Sequence, residues 1–248
     1  MSPFVAEFIG TTILIILGNG VVANVVLSRT KGGNSGWIVI TTGWALAVFV
    51  GVFCSQAASG AHLNPAVTLA MAVAGSLEWS KVGGYIAAQM AGGIVGGALV
   101  FFFYREHFKV TDDAGAKLAC FCTAPNIRNI AQSVFCEVLG TFMLVLPVFL
   151  MTPASFRLTS GPGSSELTLG LGTLGALPVG LLVWAIGLSL GGTTGYAINP
   201  ARDLGPRLAH ALLPVPGKQG SDWGYAWMPV FGPILGGLLA AFVYSLLR

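Results

Sequence analysis

Two apolar stretches in this chain are too short to cross a membrane, and both begin with Asn-Pro-Ala: residues 64–74 and 199–212. They lie among six runs that are long enough, residues 4–28, 37–57, 82–104, 130–151, 174–190 and 227–247, because crossing ~30 Å of hydrocarbon takes about 20 helical residues. Only 8% of the 248 residues are charged and 54% are hydrophobic, against about 25% charged in soluble domains. The long runs therefore read as bilayer spans. Backbone that is not helical at membrane depth is tolerated only where it is buried in protein or lines a cavity, so the two short pieces belong to a pore or a binding cavity.

The order of these pieces repeats. Glu7-Phe8-Ile9-Gly10-Thr11 returns as Glu137-Val138-Leu139-Gly140-Thr141, and Gly92-Gly93-Ile94-Val95-Gly96-Gly97 as Gly232-Pro233-Ile234-Leu235-Gly236-Gly237. Each repeat reads helix, helix, half-helix, helix. Three full spans are an odd number, so the second copy enters from the opposite face and the pair forms an inverted repeat. The expectation is an all-α membrane protein of one domain, residues 1–248. It has six transmembrane helices and two re-entrant half-helices meeting near the bilayer centre. Repeat 1 covers residues 1–104, a connecting loop 105–129, and repeat 2 residues 130–248. The 35 glycines suit close helix contact, since helices in lipid associate by packing.

Pro is well tolerated at the first helical position and Asn is a preferred N-cap, so Asn64-Pro65-Ala66 and Asn199-Pro200-Ala201 are helix starts. A helix N-terminus carries roughly +0.5 of an elementary charge. Two of them at the membrane centre repel cations and hopping protons, while the Asn64 and Asn199 amides can donate to a passing oxygen. The segments leading in cannot be helical. Gly60, Ala61, His62, Leu63, Gly195, Tyr196, Ala197 and Ile198 are expected to offer a ladder of carbonyl acceptors to the lumen.

The stretches Ser-Gly-Ala-His-Leu-Asn-Pro-Ala-Val-Thr and Gly-Tyr-Ala-Ile-Asn-Pro-Ala-Arg-Asp-Leu-Gly-Pro resemble the paired signatures of the aquaporin (major intrinsic protein) family. Within it, the chain is similar to the aquaglyceroporin or glycerol-facilitator branch. The matches are Asp203 after the pore arginine, a following basic residue at Arg207, and Pro233-Ile234 in the last span. The resemblance implies a passive channel for glycerol, other short polyols and water. It also implies a homotetramer with one pore per subunit, in a plasma membrane, with both termini cytoplasmic; the short termini point to a bacterial cell membrane. It implies a selectivity filter of Trp44, Gly187, Tyr196 and Arg202, where strict water channels carry His at the Gly187 position and this branch often has Phe in place of Tyr196. A polyol has a carbon edge and a hydroxyl edge, and each unpaired buried hydroxyl costs about 1–3 kcal/mol. Trp44 and Tyr196 then form a wedge for the carbons, Arg202 and the carbonyls take the hydroxyls, and Gly187 leaves the width.

Glu7 and Glu137 lie deep in equivalent spans, and the resemblance implies that they accept hydrogen bonds from the half-helix loops; a proton relay is the alternative. His62 reads as a loop brace or pore-wall residue, with no partner spaced to make it a metal ligand, and Asp203 as a stabiliser of the second half-helix and its basic neighbours. Cys54, Cys120, Cys122 and Cys136 have neither zinc nor redox spacing and read as free thiols. Residues 105–129 and 152–171 read as solvated connectors.

No cofactor or metal is implied. A net charge of +3 spread over loops gives no concentrated basic face for nucleic acid. An enzyme has no visible nucleophile–base pair, and a secondary transporter lacks deep acids beyond Glu7 and Glu137 to couple ions; a scaffold with a vestigial pore is the third rival. The start of the chain has an acid and no positive region, unlike a secretory signal, so the first span is expected in the mature protein. Charge bias alone favours the opposite orientation. With the N-terminus inside, Arg29, Lys31, Arg105, Lys109, Lys117, Arg128, Arg207 and Lys218 lie outside against Lys81, Arg157 and Arg248, contrary to the positive-inside rule.

Overall fold

The computed structural model describes residues 1–152, 155–158 and 167–248. In chain order its helices are α1 (Pro3–Val26), α2 (Trp37–Ser59), α3 (Pro65–Val73), α4 (Trp79–Phe103), α5 (Arg105–Val110), α6 (Ala114–Ala119), α7 (Ile130–Leu150), α8 (Leu177–Leu190), α9 (Pro200–Leu212) and α10 (Met228–Leu246). A single 3-10 turn, Gly172–Ala176, leads into α8. Among the described residues, six helical segments are long and apolar enough to cross a membrane: α1, α2, α4, α7, α10, and α8 taken with its 3-10 turn. β1 (Ser155–Leu158) and β2 (Leu167–Gly170) pair antiparallel, Ser155 opposite Gly170. The connector at 152–171 thus carries a short ribbon at its ends, and its middle lies outside the described residues.

The two repeats interlock. The half-helix α3 packs on α10 and the half-helix α9 on α4, while α1 packs on α2 and α4, and α7 on α10. The paired glycines make this possible by serving two faces of one helix. On α4, a Cβ at Gly92 or Gly96 would sit 2.6 Å from Phe8 O or 2.7 Å from Ile15 Cβ of α1. One at Gly93 or Gly97 would sit 2.5 Å from Ala201 O or 2.9 Å from Pro206 Cβ of α9. On α10, Gly232 and Gly236 meet α7 at Glu137 Cβ (2.7 Å) and Val138 O (2.3 Å), and Gly237 meets Ala66 O of α3 at 2.9 Å. Real Cβ atoms essentially never approach that closely, so each glycine admits the backbone or Cβ of a neighbouring helix, as helix association by packing requires.

Nine and thirteen residues long, α3 and α9 placed end to end match the thickness of the hydrocarbon core at ~1.5 Å per residue. Both start identically. Asn64 (φ −157°) and Asn199 (φ −156°) are extended N-caps followed by proline, and their Oδ1 atoms accept from Ala66 N and from Ala201 N, each at 2.9 Å.

The reading of 105–129 as a solvated connector is corrected. Phe108, Cys120, Phe121 and Cys122 are buried in an apolar cluster with Ala23, Leu27, Val100, Phe101, Ala209 and Val215. Asn19 Nδ2 donates to Phe121 O at 3.0 Å and Lys117 Nζ to Pro216 O at 2.5 Å. The segment folds back onto α1, α4 and α9, and its aromatic and thiol residues are taken out of water there.

Candidate functional site

The loops entering α3 and α9 have matched and costly backbones. Gly60, Ala61 and Leu63 are left-handed (φ 82°, 54°, 51°), as are Gly195, Tyr196 and Ile198 (φ 81°, 39°, 43°). Each non-glycine residue in that region costs about 1–3 kcal/mol and persists only where its surroundings hold it. Two fully buried carboxylates do the holding. Glu7 accepts from His62 N (2.9 Å), Leu63 N (2.7 Å), Ser59 Oγ (2.6 Å) and Gln89 Nε2 (2.8 Å). Glu137 accepts from Ala197 N (3.1 Å), Ile198 N (2.8 Å) and Thr194 Oγ1 (2.7 Å). The backbone and hydroxyl donors are equivalent in the two repeats; Gln89, which also reaches Thr68 Oγ1 at 2.9 Å, is specific to the first.

Two cavities lie along the axis between the repeats. The inner one, about 190 Å³, is lined by Gly60, Ala61, His62, Leu63, Asn64, Ala197, Ile198 and Asn199 of the two loops. Leu14, Val48, Val52, Val67, Leu144, Val179 and Val183 are among its apolar residues. The outer vestibule, about 880 Å³, is lined by Trp37, Gly195 and much of the refolded connector, from Gly115 to Arg128. Trp44, Tyr196 and Arg202 are the residues common to both walls. They mark the neck between the cavities.

At that neck the Arg202 guanidinium lies 4.0 Å over the Trp44 ring, a cation–π contact. Trp44 Nε1, Tyr196 Oη and Arg202 Nη1 are buried without a hydrogen-bond partner among the described residues. Buried polar groups are nearly always paired, and unpaired ones call for an explanation. Three donors at one constriction suit a site whose partner is transient.

Gly187 lines neither cavity. A Cβ there would lie 2.9 Å from Tyr196 Cζ and 3.0 Å from its hydroxyl. The missing side chain is thus filled by the Tyr196 phenol, and the glycine acts on the neck through the tyrosine. Pro65, Ala66, Pro200 and Ala201 are buried at the half-helix starts and line neither cavity. His62 lines the inner cavity, with Nδ1 3.2 Å from Thr68 Oγ1 and its ring 5.1 Å from Tyr85. Asp203 is fully buried. Its Oδ2 accepts from Thr123 N and Oγ1, both at 2.7 Å, and its Oδ1 pairs with Arg207, which also donates to Thr123 O at 2.9 Å. Among the described residues no three His, Cys, Asp or Glu side chains group to hold a metal.

The family model described as major intrinsic protein matches residues 1–244. The chain belongs to the major intrinsic protein family. Among its relatives, a protein of Thermotoga maritima named "Probable glycerol uptake facilitator protein" is 55% identical over 99% of both chains. The "Glycerol uptake facilitator protein" of Streptococcus pneumoniae is 50% identical, again over 99% of both. The X-ray structure of the aquaglyceroporin from Plasmodium falciparum superposes with a TM-score of 0.79 at 29% identity, covering 98% of this chain and 94% of that one.

Several residues at the neck of this major intrinsic protein carried no signal in the sequence. Gly18 of α1 seats Trp44, since a Cβ there would lie 2.3 Å from Trp44 Cζ3. Gly191 and Trp37 stand against Tyr196, and Thr123 joins the connector to Asp203. One glycine among 35 is anonymous until the ring against it is known, and Trp37 at a span end reads equally as an interfacial aromatic.

Proposed function

We propose that the protein is a passive pore for glycerol and related short polyols, with water as co-permeant and with ions and protons excluded. The observation that carries this is the neck of Trp44, Tyr196 and Arg202 joining two cavities, with two aromatic rings and unpartnered donors at one level. The names of the 55% and 50% identical relatives support glycerol as the solute.

In this reading Trp44 and Tyr196 receive the carbon edge of the polyol and Arg202 its hydroxyls, with Gly187 as the fourth filter position, holding room for the tyrosine. From Gly195 in the outer vestibule, through Tyr196 at the neck, the hydroxyls pass to the carbonyls of Ala197, Ile198, Gly60, Ala61, His62 and Leu63 in the inner cavity. Most of the other lining residues are apolar, so the solute finds both chemistries in one cavity and little desolvation cost is left uncompensated. Asn64 and Asn199, with Pro65, Ala66, Pro200 and Ala201 behind them, form the central constriction. There one N–H of each amide is committed to the opposite loop and the second remains for the solute. The positive ends of α3 and α9 and the Arg202 charge repel cations and protons. Glu7 and Glu137 keep the strained loops aimed. The chain works as one domain, in a homotetramer with a pore in each subunit, in a bacterial plasma membrane with both termini cytoplasmic.

Stopped-flow light scattering on vesicles containing the purified protein tests this. Glycerol entry should rise in proportion to its gradient, without saturation and unchanged by proton or sodium ionophores. Entry that demands an ion gradient would mean a coupled transporter instead.

A further inference from the structure

Tyr196 reaches the neck, yet what fixes its ring lies outside the inner cavity. The Trp37 ring stands edge-on to it, centroids 5.9 Å apart at 79°. Trp37 Nε1 donates to Gly187 O at 3.0 Å, so the indole is tied to the same α8 turn whose glycine accommodates the phenol. Gly191 completes the seat. A Cβ there would lie 2.6 Å from Gly187 O, 2.6 Å from Tyr196 Cδ1 and 2.7 Å from Trp37 Cζ2. The Gly191 backbone is right-handed (φ −75°, ψ −18°), so glycine is present for want of space and not for its conformational freedom. Trp37 and Gly191 hold the ring from the outer vestibule, which both line, and the ring itself reaches the neck with Trp44 and Arg202. Pressure or slack in this seat is therefore passed to the width of the neck.

We propose that Trp37 and Gly191 are positioning residues that set the solute cut-off of the pore by fixing the Tyr196 ring from the outer vestibule. The proposal rests on the reading of the neck as the polyol-selecting constriction. It requires that two changes on the same side of the ring act with opposite sign. Filling the seat with Gly191→Ala drives the phenol towards the lumen and narrows the neck. Emptying it with Trp37→Ala removes both the edge contact and the tie to Gly187 O, lets the phenol retreat, and widens it.

The test compares permeability ratios of water, glycerol and the five-carbon polyol xylitol in one preparation of proteoliposomes per variant, by stopped-flow light scattering. A ratio cancels the amount of folded channel, so a loss of expression or stability does not move it. Gly191→Ala should lower the glycerol-to-water ratio about fivefold, and Trp37→Ala should raise the xylitol-to-glycerol ratio about fivefold, a barrier difference of about 1 kcal/mol in each case. Ratios equal to wild type in both variants, or shifted in the same direction, would overturn the proposal while leaving the pore reading intact. Wild-type vesicles that pass no glycerol would overturn both.

Discussion

Asn64 and Asn199 are cross-linked through each other's loops: Asn64 Nδ2 donates to Ile198 O and Asn199 Nδ2 to Leu63 O, both at 2.8 Å. Each side chain also caps its own half-helix through Oδ1, so one amide joins two elements with no covalent link near them. Losing a cap costs about 0.5–2 kcal/mol and losing a buried hydrogen bond about 1 kcal/mol more, with an orphaned carbonyl added. Asn64→Ala should therefore lower stability by about 2–3 kcal/mol. A thermal-aggregation midpoint in detergent equal to wild type would argue against the cross-link.

The two carboxylates make a comparable prediction about flux. Glu137→Gln replaces one acceptor oxygen by a donor, so Ala197 N, Ile198 N and Thr194 Oγ1 compete for one oxygen while Tyr196 and Ile198 remain left-handed. Hydrogen bonds to a charged group contribute about 1.5–3 kcal/mol, comparable to the strain they offset. Glycerol flux per folded channel should fall by about tenfold or more, a barrier cost of about 1.4 kcal/mol; flux within twofold of wild type would show that the loop keeps its shape unaided.

Asp203 and Arg207 are both completely buried, and removing one partner of a buried pair typically costs about 3–5 kcal/mol because the other charge is stranded. Asp203→Asn also weakens acceptance from Thr123, the tie between the connector and α9. The variant should be less stable by that order and should be cleaved faster by protease within residues 105–129. Unaltered proteolysis of that segment would place its anchorage elsewhere.

Cys120 and Cys122 are buried, and burial raises both thiol pKa values. In the native protein they should resist maleimide at pH 7–8 and react fully once unfolded, as counted by intact mass. The sign of the pH effect follows. Unfolded thiols ionise above about pH 8.5 while the folded ones stay neutral, so their contribution to stability is whole below that value and declines as pH rises above it. Rapid native labelling would contradict the buried cluster.

Much of the architecture was legible because each element has a local physical signature. Run length separated spans from half-spans, Asn-Pro fixed two helix starts, and the recurrence of Glu-x-x-Gly-Thr and of the glycine pairs exposed the inverted repeat. What stayed hidden depends on partners distant in sequence. The burial of Phe108, Cys120 and Phe121 is decided by surfaces on α1, α4 and α9, and a polar-looking connector does not announce them. The adverse charge count has a similar origin. Lys117, Arg207 and Lys218 were counted as outer-loop charges, yet Lys117 and Arg207 are buried. Lys218 Nζ donates to the carbonyls of His210, Ala211 and Leu213, neutralising the negative end of α9. These cations are retained for bonds within the fold, which a count along the chain does not distinguish. The place of Gly187 was assigned by family resemblance from its spacing to the second Asn-Pro-Ala, and the Tyr196 phenol that fills its space gave no signal along the chain.

The central claim is that the neck of Trp44, Tyr196 and Arg202 selects small polyols, and Gly187→His tests it most directly. The new side chain cannot share the space held by the Tyr196 phenol, 2.9 Å from its Cβ, so imidazole or phenol must enter the lumen. Measured by stopped-flow light scattering in proteoliposomes, glycerol permeability should fall by about tenfold or more, about 1.4 kcal/mol of barrier, while water permeability stays within about twofold of wild type. Glycerol permeability equal to wild type in a folded variant would contradict the account and move the selecting constriction away from this neck.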